Sequence, residues 1–201
     1  MFRTGAMDKK EKVWRYVVTA ITTIAITICV VISETYNINT PLISIIGGYA
    51  SIPAILLLTW RLPFSFFLWV MCFDIFAPGI GTIVNLYRTV DSYDRIIHFL
   101  SGIILAEAGR MIIEHLFYRY GLKNITSITI LFAALFSCMG AGLWEIYEFT
   151  GDQLLNTKMQ GNNLNTMGDI VSGFLGALVY VGVYLGYKYY EKNRDKKDDI
   201  I

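Results

Sequence analysis

The sequence predicts an all-α, polytopic membrane helical bundle of about six transmembrane helices, with both termini cytoplasmic. Three observations carry that prediction. Of 201 residues, 55% are hydrophobic and 16% charged, with a mean hydropathy of +0.50, which is too apolar for an ordinary soluble domain of this length. The apolar residues gather in runs near the roughly 20 residues that a ~30 Å hydrocarbon layer requires at about 1.5 Å per residue. Lysine and arginine, finally, segregate by loop. The N-terminus, Arg61, Arg119, Lys123 and the C-terminal tail hold most of them, whereas the alternate loops offer Arg88, Arg95 and Lys158. By the positive-inside rule the first set is cytoplasmic and the number of spans is even.

Residues 1–15, with Arg3, Lys9, Lys10, Lys12 and Arg15, read as a basic cytoplasmic flank. The membrane domain runs over 16–187. Its first span, Tyr16 to Ser33, has no small-residue cleavage site behind it and is expected to be retained. The second, Leu42 to Trp60, holds Gly47, Gly48 and Pro53 and is expected to bend. A Trp60-Arg61-Leu62-Pro63 turn follows, with an interfacial aromatic. The third, Phe64 to about Leu86, carries Asp74 and is expected to break at Ala77-Pro78-Gly79-Ile80-Gly81, where freed backbone needs protein or water. The fourth covers Tyr93 to Phe117 and the fifth Ser127 to Phe149. Thr150 to Thr166 is the longest internal loop, with room for a lid. The sixth span, Met167 to Tyr187, leads into a charged cytoplasmic tail, 188–201, expected to fray.

The net charge of +1 and the lack of a basic, aromatic-interleaved patch exclude a nucleic-acid partner. Cys29, Cys72 and Cys138 each lie inside an apolar run, without CxxC or zinc-finger spacing, and read as small buried hydrophobes.

The informative residues are the charges inside these runs. The fourth span carries Asp94, Arg95, His98, Glu107, Arg110 and Glu114, and each such group near the bilayer centre costs roughly 2.5–3.5 kcal/mol on insertion scales. Partners are therefore expected inside the bundle. The topology puts the start of the fourth span, the end of the fifth and the start of the sixth at the same, outer, level. Asp91, Asp94 and His98 share one helical face at about 100° per residue, as do Glu145, Glu148 and Asp152. Small residues at Ser101, Gly102, Gly168, Ser172, Gly173, Gly176 and Ala177 would let helices approach closely and bring Asp169 near. Carboxylates with one imidazole and no thiolate suit a divalent metal ion of unspecified identity. Asp94, His98, Glu145 and Asp169 are the metal candidates, and Glu148 and Asp152 the catalytic ones. The bland alternative pairs Asp94 with a neighbouring arginine and His98 with a carbonyl. Trp144 and Tyr147 read as interface anchors, and His115 as solvated. Glu107, Arg110 and Glu114, at three- and four-residue steps, read as a charge-neutralised structural triad.

The runs Tyr93-Asp94-Arg95 with His98-Phe99 and Gly102, then Leu143-Trp144-Glu145-Ile146-Tyr147-Glu148-Phe149, then Asn165-Thr166-Met167-Gly168-Asp169 with Gly176 resemble the YjdF-like predicted inner-membrane protein family, a domain of unknown function. The resemblance covers about Tyr93 to Ala177. It implies a multi-spanning protein of the bacterial inner membrane and carries no reaction. An acidic residue often stands in that family where this chain has Asn165, which leaves this chain one carboxylate fewer.

Three functions fit these residues. One is a metal-dependent hydrolase or transferase acting on a lipid or lipid-linked substrate. Another is a cation or proton transporter, for which self-association as a homo-oligomer would supply the symmetry that no internal repeat provides. The third is a non-catalytic assembly or sensor protein. No GxSG, HExxH or Gly-rich phosphate loop is present.

Overall fold

A computed structural model of the chain describes residues 7–155 and 159–198, so Arg3 and Lys158 of the topology reading lie outside the described residues. Those residues form helices and no strand: α1 (Lys9–Thr35), α2 (Leu42–Leu58), α3 (Phe64–Asp74), a π-helix (Ile75–Ile83), α4 (Leu86–Thr89), α5 (Tyr93–Arg119), α6 (Thr126–Leu155) and α7 (Asn163–Asp198). Among the described residues, five helical stretches are long and apolar enough to cross a membrane: α1, α3 with the π-helix, α5, α6 and α7. The sixth expected span, α2, has 17 residues and so reaches about 26 Å, at the lower limit for a crossing. Outward-facing Ile21, Ile24, Ile28 and Val31 on α1 and Leu131 and Leu135 on α6 are exposed, an arrangement that suits a hydrocarbon surrounding rather than water. The fold is an all-α membrane bundle.

The chain divides into two compact units, Met1–Ile97 and His98–Ile201. In the first, Ile26 and Cys29 of α1, Ile52 of α2, Phe67 and Met71 of α3 and Ile83 of the π-helix form the core. Threonines on α1 bond back into their own helix, Thr19 to Arg15 O, Thr23 to Thr19 O and Thr27 to Thr23 O, so they need no water at membrane depth.

Arg15 corrects the reading of the N-terminus as a simple basic flank. Its side chain is fully buried. The guanidinium donates to Thr59 O at 3.2 Å, to Leu62 O at 2.6 Å and to Glu11 Oε1 at 3.0 Å, and lies 4.8 Å from the Phe67 ring centroid. Residues 59 and 62 end α2 and its turn, so Arg15 supplies donors to carbonyls that the helix itself leaves open.

The expected break in the third span is a widened helix instead. Proline in an α-helix clashes with the carbonyl four residues back and lacks an N–H. Here the chain shifts to five-residue spacing, visible in Val84 N donating to Gly79 O at 3.1 Å, and Pro78 is accommodated without interruption. A Cβ on Gly81 would lie 2.3 Å from the Tyr87 ring, which is why that position is glycine. Thr40 Oγ1 donates to Ile83 O at 2.8 Å, satisfying the last turn. Pro53 likewise leaves α2 one continuous helix.

In the second unit α5, α6 and α7 pack through small residues. A Cβ on Gly102 would come within 2.0 Å of Gly173 O, and one on Gly176 within 2.1 Å of Phe99 O. The backbones of α5 and α7 thus touch. Ala106, Ala133 and Ala177 continue the contact, and buried Ser137 donates to Gly102 O at 3.0 Å.

Two boundaries differ from expectation. The long loop is mostly helix, because α6 runs on to Leu155 and α7 starts at Asn163, where Asn162 Oδ1 accepts from Asn165 N at 3.0 Å as an N-cap. The tail also stays helical to Asp198, aided by Tyr187 and Lys188 bonding to Glu191 at 2.6 and 3.0 Å.

Candidate metal centre

Helix α5 is continuous across the division between the units, so helical geometry alone sets Asp94 one turn before His98. His98 is buried, and Ser101 Oγ donates to its carbonyl at 2.8 Å. The close approach at Gly102 and Gly173 brings in α7, on which Asp169, 2% exposed, stands one turn before Gly173. One ligand atom from each of Asp94, His98 and Asp169 lies within 4.8 Å of the others. Two ligands facing each other across a metal ion are separated by about twice a 2.0–2.6 Å bond, so these atoms are spaced to share a cation after shifts of a few tenths of an ångström. One imidazole nitrogen and two carboxylates form a donor set typical of Zn²⁺, Mn²⁺ or Fe²⁺.

Glu145, the fourth expected ligand, is buried on α6 with Oε1 3.8 Å from His98 Nε2. It stands beside the imidazole and outside the three-residue group. The two expected catalytic carboxylates make bonds of their own. Glu148 Oε1 accepts the Trp144 Nε1 proton at 2.8 Å, and Asp152 accepts the Met159 and Gln160 backbone N–H groups at 2.8 and 3.0 Å, tying α6 to the segment before α7. Asp91 precedes α5 and is exposed. Trp144 and Tyr147 are half-exposed, as expected of anchors.

Asn165, where the resemblance calls for an acid, donates through Nδ2 to Asp169 Oδ2. Gly161 makes room for it, since a Cβ there would fall 2.0 Å from Asn165 Oδ1. The i,i+4 spacing of Asn165 and Asp169 carried this contact in the sequence.

Further along α5, Arg110 reaches both acids as the triad requires. Its Nε and one terminal nitrogen donate to Glu107 at 2.7 and 2.6 Å, and the other terminal nitrogen pairs with Glu114. The sequence reading missed α7's contribution. Tyr180 OH bonds to Glu107 Oε2 and meets Arg110 Nε at 2.8 Å, while Tyr184 OH donates to Glu114 Oε1 at 3.0 Å. Asn124 adds a donor to Glu114 at 3.3 Å. Two carboxylates against one guanidinium are not charge-neutral, and the phenols supply the remaining donors. Tyrosines four residues apart on an apolar helix were the available signal. His115 is half-buried.

No curated protein and no solved structure matches this sequence. A family described as predicted membrane protein, DUF2238, matches residues 15–191. That match spans all five membrane-length stretches almost entirely and every residue of the candidate centre. The chain therefore belongs to the DUF2238 family of multi-pass membrane proteins.

Proposed function

We propose that this protein is a divalent-metal-dependent hydrolase or group transferase of the bacterial inner membrane, acting on a lipid or lipid-linked substrate near the outer face. The convergence of Asp94, His98 and Asp169 within 4.8 Å carries the reading. Three charged or ionisable groups brought together in apolar helices are expensive unless a cation compensates them. A metal held there would polarise a phosphoryl or carbonyl oxygen or activate water. Glu145, buried beside His98, is the carboxylate placed to take the water's proton. Glu148 and Asp152 have the bonds described above and act in positioning.

The test is metal content and turnover of the full chain purified in detergent. Mass spectrometry of the dialysed protein should find about one Mn²⁺ or Zn²⁺ per chain, lost in His98→Ala and in Asp169→Asn while helicity is retained. Glu145→Gln should keep the ion but lower hydrolysis of a lipid-linked phosphate by about 10²–10⁴-fold. Wild-type protein that stays metal-free after incubation with either ion would sink the proposal.

A further inference from the structure

The first unit contains a buried acid that the metal centre does not use. Asp74 is the last residue of the 11-residue α3 and lies midway along the 20-residue stretch Phe64–Ile83. It is 4% exposed, and its Oδ2 meets no hydrogen-bond donor among the described residues. The elements packed around it bring no cation to mid-depth. On α1 the charges stand near the ends, at Lys9 to Arg15 and at Glu34, and the titratable group between Tyr16 and Glu34 is Cys29. Helix α2 carries Tyr49, whose OH bonds to Thr27 Oγ1 at 2.9 Å, and no charge. The π-helix has no titratable residue. Tyr87 and Arg88 follow on α4, and Tyr93 donates to Phe76 O at 2.8 Å.

Ser51 on α2 is a polar neighbour of this carboxyl. Ser51 Oγ donates to Gly48 O at 2.9 Å. A serine has one proton to give. Given to Gly48, it leaves the Ser51 oxygen only its lone pairs to turn toward Asp74. Two oxygens that both offer lone pairs are completed by a positive charge between them, either a proton on the carboxyl or a small cation shared by both. The π-helix that begins at the next residue widens the backbone at this level, a feature that recurs at functional sites.

We propose that Asp74, with Ser51, is an exchange site for one monovalent cation, a proton or Na⁺, independent of the divalent-metal centre. Loading with H⁺ converts the carboxylate to the acid, which donates to Ser51 Oγ. Loading with Na⁺ places the ion between the two oxygens.

Infrared difference spectroscopy of the full chain in lipid nanodiscs, titrated with pH in NaCl and in choline chloride, tests this. A carboxylic C=O band that disappears as pH rises, shifts in D₂O, is absent from Asp74→Asn and survives in Asp169→Asn is the expected result. A midpoint moved to lower pH by NaCl assigns the site to competing Na⁺ and H⁺, and a midpoint indifferent to NaCl assigns it to the proton alone. The proposal is overturned by finding no Asp74-dependent band at any pH together with no NaCl effect. It is also overturned by a band that neither titrates nor exchanges, which would mark a permanently protonated structural acid. Ser51→Ala guards against misfolding of the first variant, because it keeps the carboxyl. Its C=O band should move in frequency, and an unmoved band rules out the pairing.

Discussion

Around Arg110, one guanidinium, two phenols and an amide supply donors to the carboxylates of Glu107 and Glu114. Twelve residues before Arg110 on the same helix, about 18 Å away, the group at His98 has a different composition: carboxylates from Asp94 and Asp169 around one imidazole, with Glu145 alongside. Both sets are built on α5 and both draw on α7. In the first, protein donors nearly match protein acceptors, so the cluster is complete as folded. In the second, Asp94, His98 and Asp169 each bring a ligand atom within 4.8 Å of the others, a spacing at which a bound metal ion would be shared. Two acidic clusters in one apolar helix can thus have different uses: one is closed by an arginine, and the other is spaced for a cation.

The most severe way to break this comparison is to remove the cation that closes the first cluster. Arg110→Leu leaves two carboxylates facing each other in an apolar bundle, and breaking such a pair from one side costs about 3–5 kcal/mol. The value should fall toward the low end, because these side chains are about a fifth exposed. Thermal unfolding in detergent should show a large drop in midpoint. Adding Glu107→Gln and Glu114→Gln should restore most of it, since the stranded charges are then gone. A single variant as stable as wild type would show that water or lipid, not Arg110, compensates these acids.

The second prediction concerns the scaffold that both clusters share. Gly102→Ala puts a methyl 2.0 Å from Gly173 O, so α5 and α7 must separate, at about 1–3 kcal/mol for an overpacked contact. Asp169 lies one turn from Gly173 and Tyr180 two turns beyond it, so the consequences should differ. Metal binding depends on ångström-scale convergence across the helix contact and should be lost, whereas long Arg and Tyr side chains can follow a small displacement. Metal retained at wild-type stoichiometry in Gly102→Ala would mean that the close approach does not position the centre.

These cases also show what a sequence can reveal. Helix positions were legible because apolar runs of membrane length leave little choice, and the glycine and alanine pattern on α5 and α7 correctly implied close packing. His98 and Asp169 were legible for the same reason, as polar residues at the same level on touching helices. Arg15 was not, because a basic residue before a first span ordinarily stays in water, and nothing local indicates that the ends of Thr59 and Leu62 fold over it. The π-helix was hidden because Pro-Gly-Ile-Gly signals equally a break and a widened turn. The bonds from the Met159 and Gln160 backbone N–H groups to Asp152 were not legible, because side-chain chemistry does not reveal which backbone groups a carboxylate will meet. Tyr180 and Tyr184 were not singled out, because nothing in the sequence shows which face of α7 meets Glu107 and Glu114.

The mildest expected effect would sharpen the comparison rather than break it. Asn165 now offers Asp169 a neutral donor, so one oxygen of that ligand is engaged by an amide. Asn165→Asp replaces the amide by a fourth negative group close to the metal position, with almost no change in volume. If the His98 group is deficient in positive charge, the apo protein should be slightly destabilised by the added repulsion, and metal affinity should rise about tenfold, the lower end of what groups behind a metal ligand contribute. Competitive titration with a metal-sensitive dye would measure the affinity, and unfolding with and without Mn²⁺ the stability. Metal should therefore stabilise this variant more than wild type. Lower affinity would instead show that the Asn165 donor is needed to orient Asp169, and that its amide supports the ligand in the way the phenols support Glu107 and Glu114.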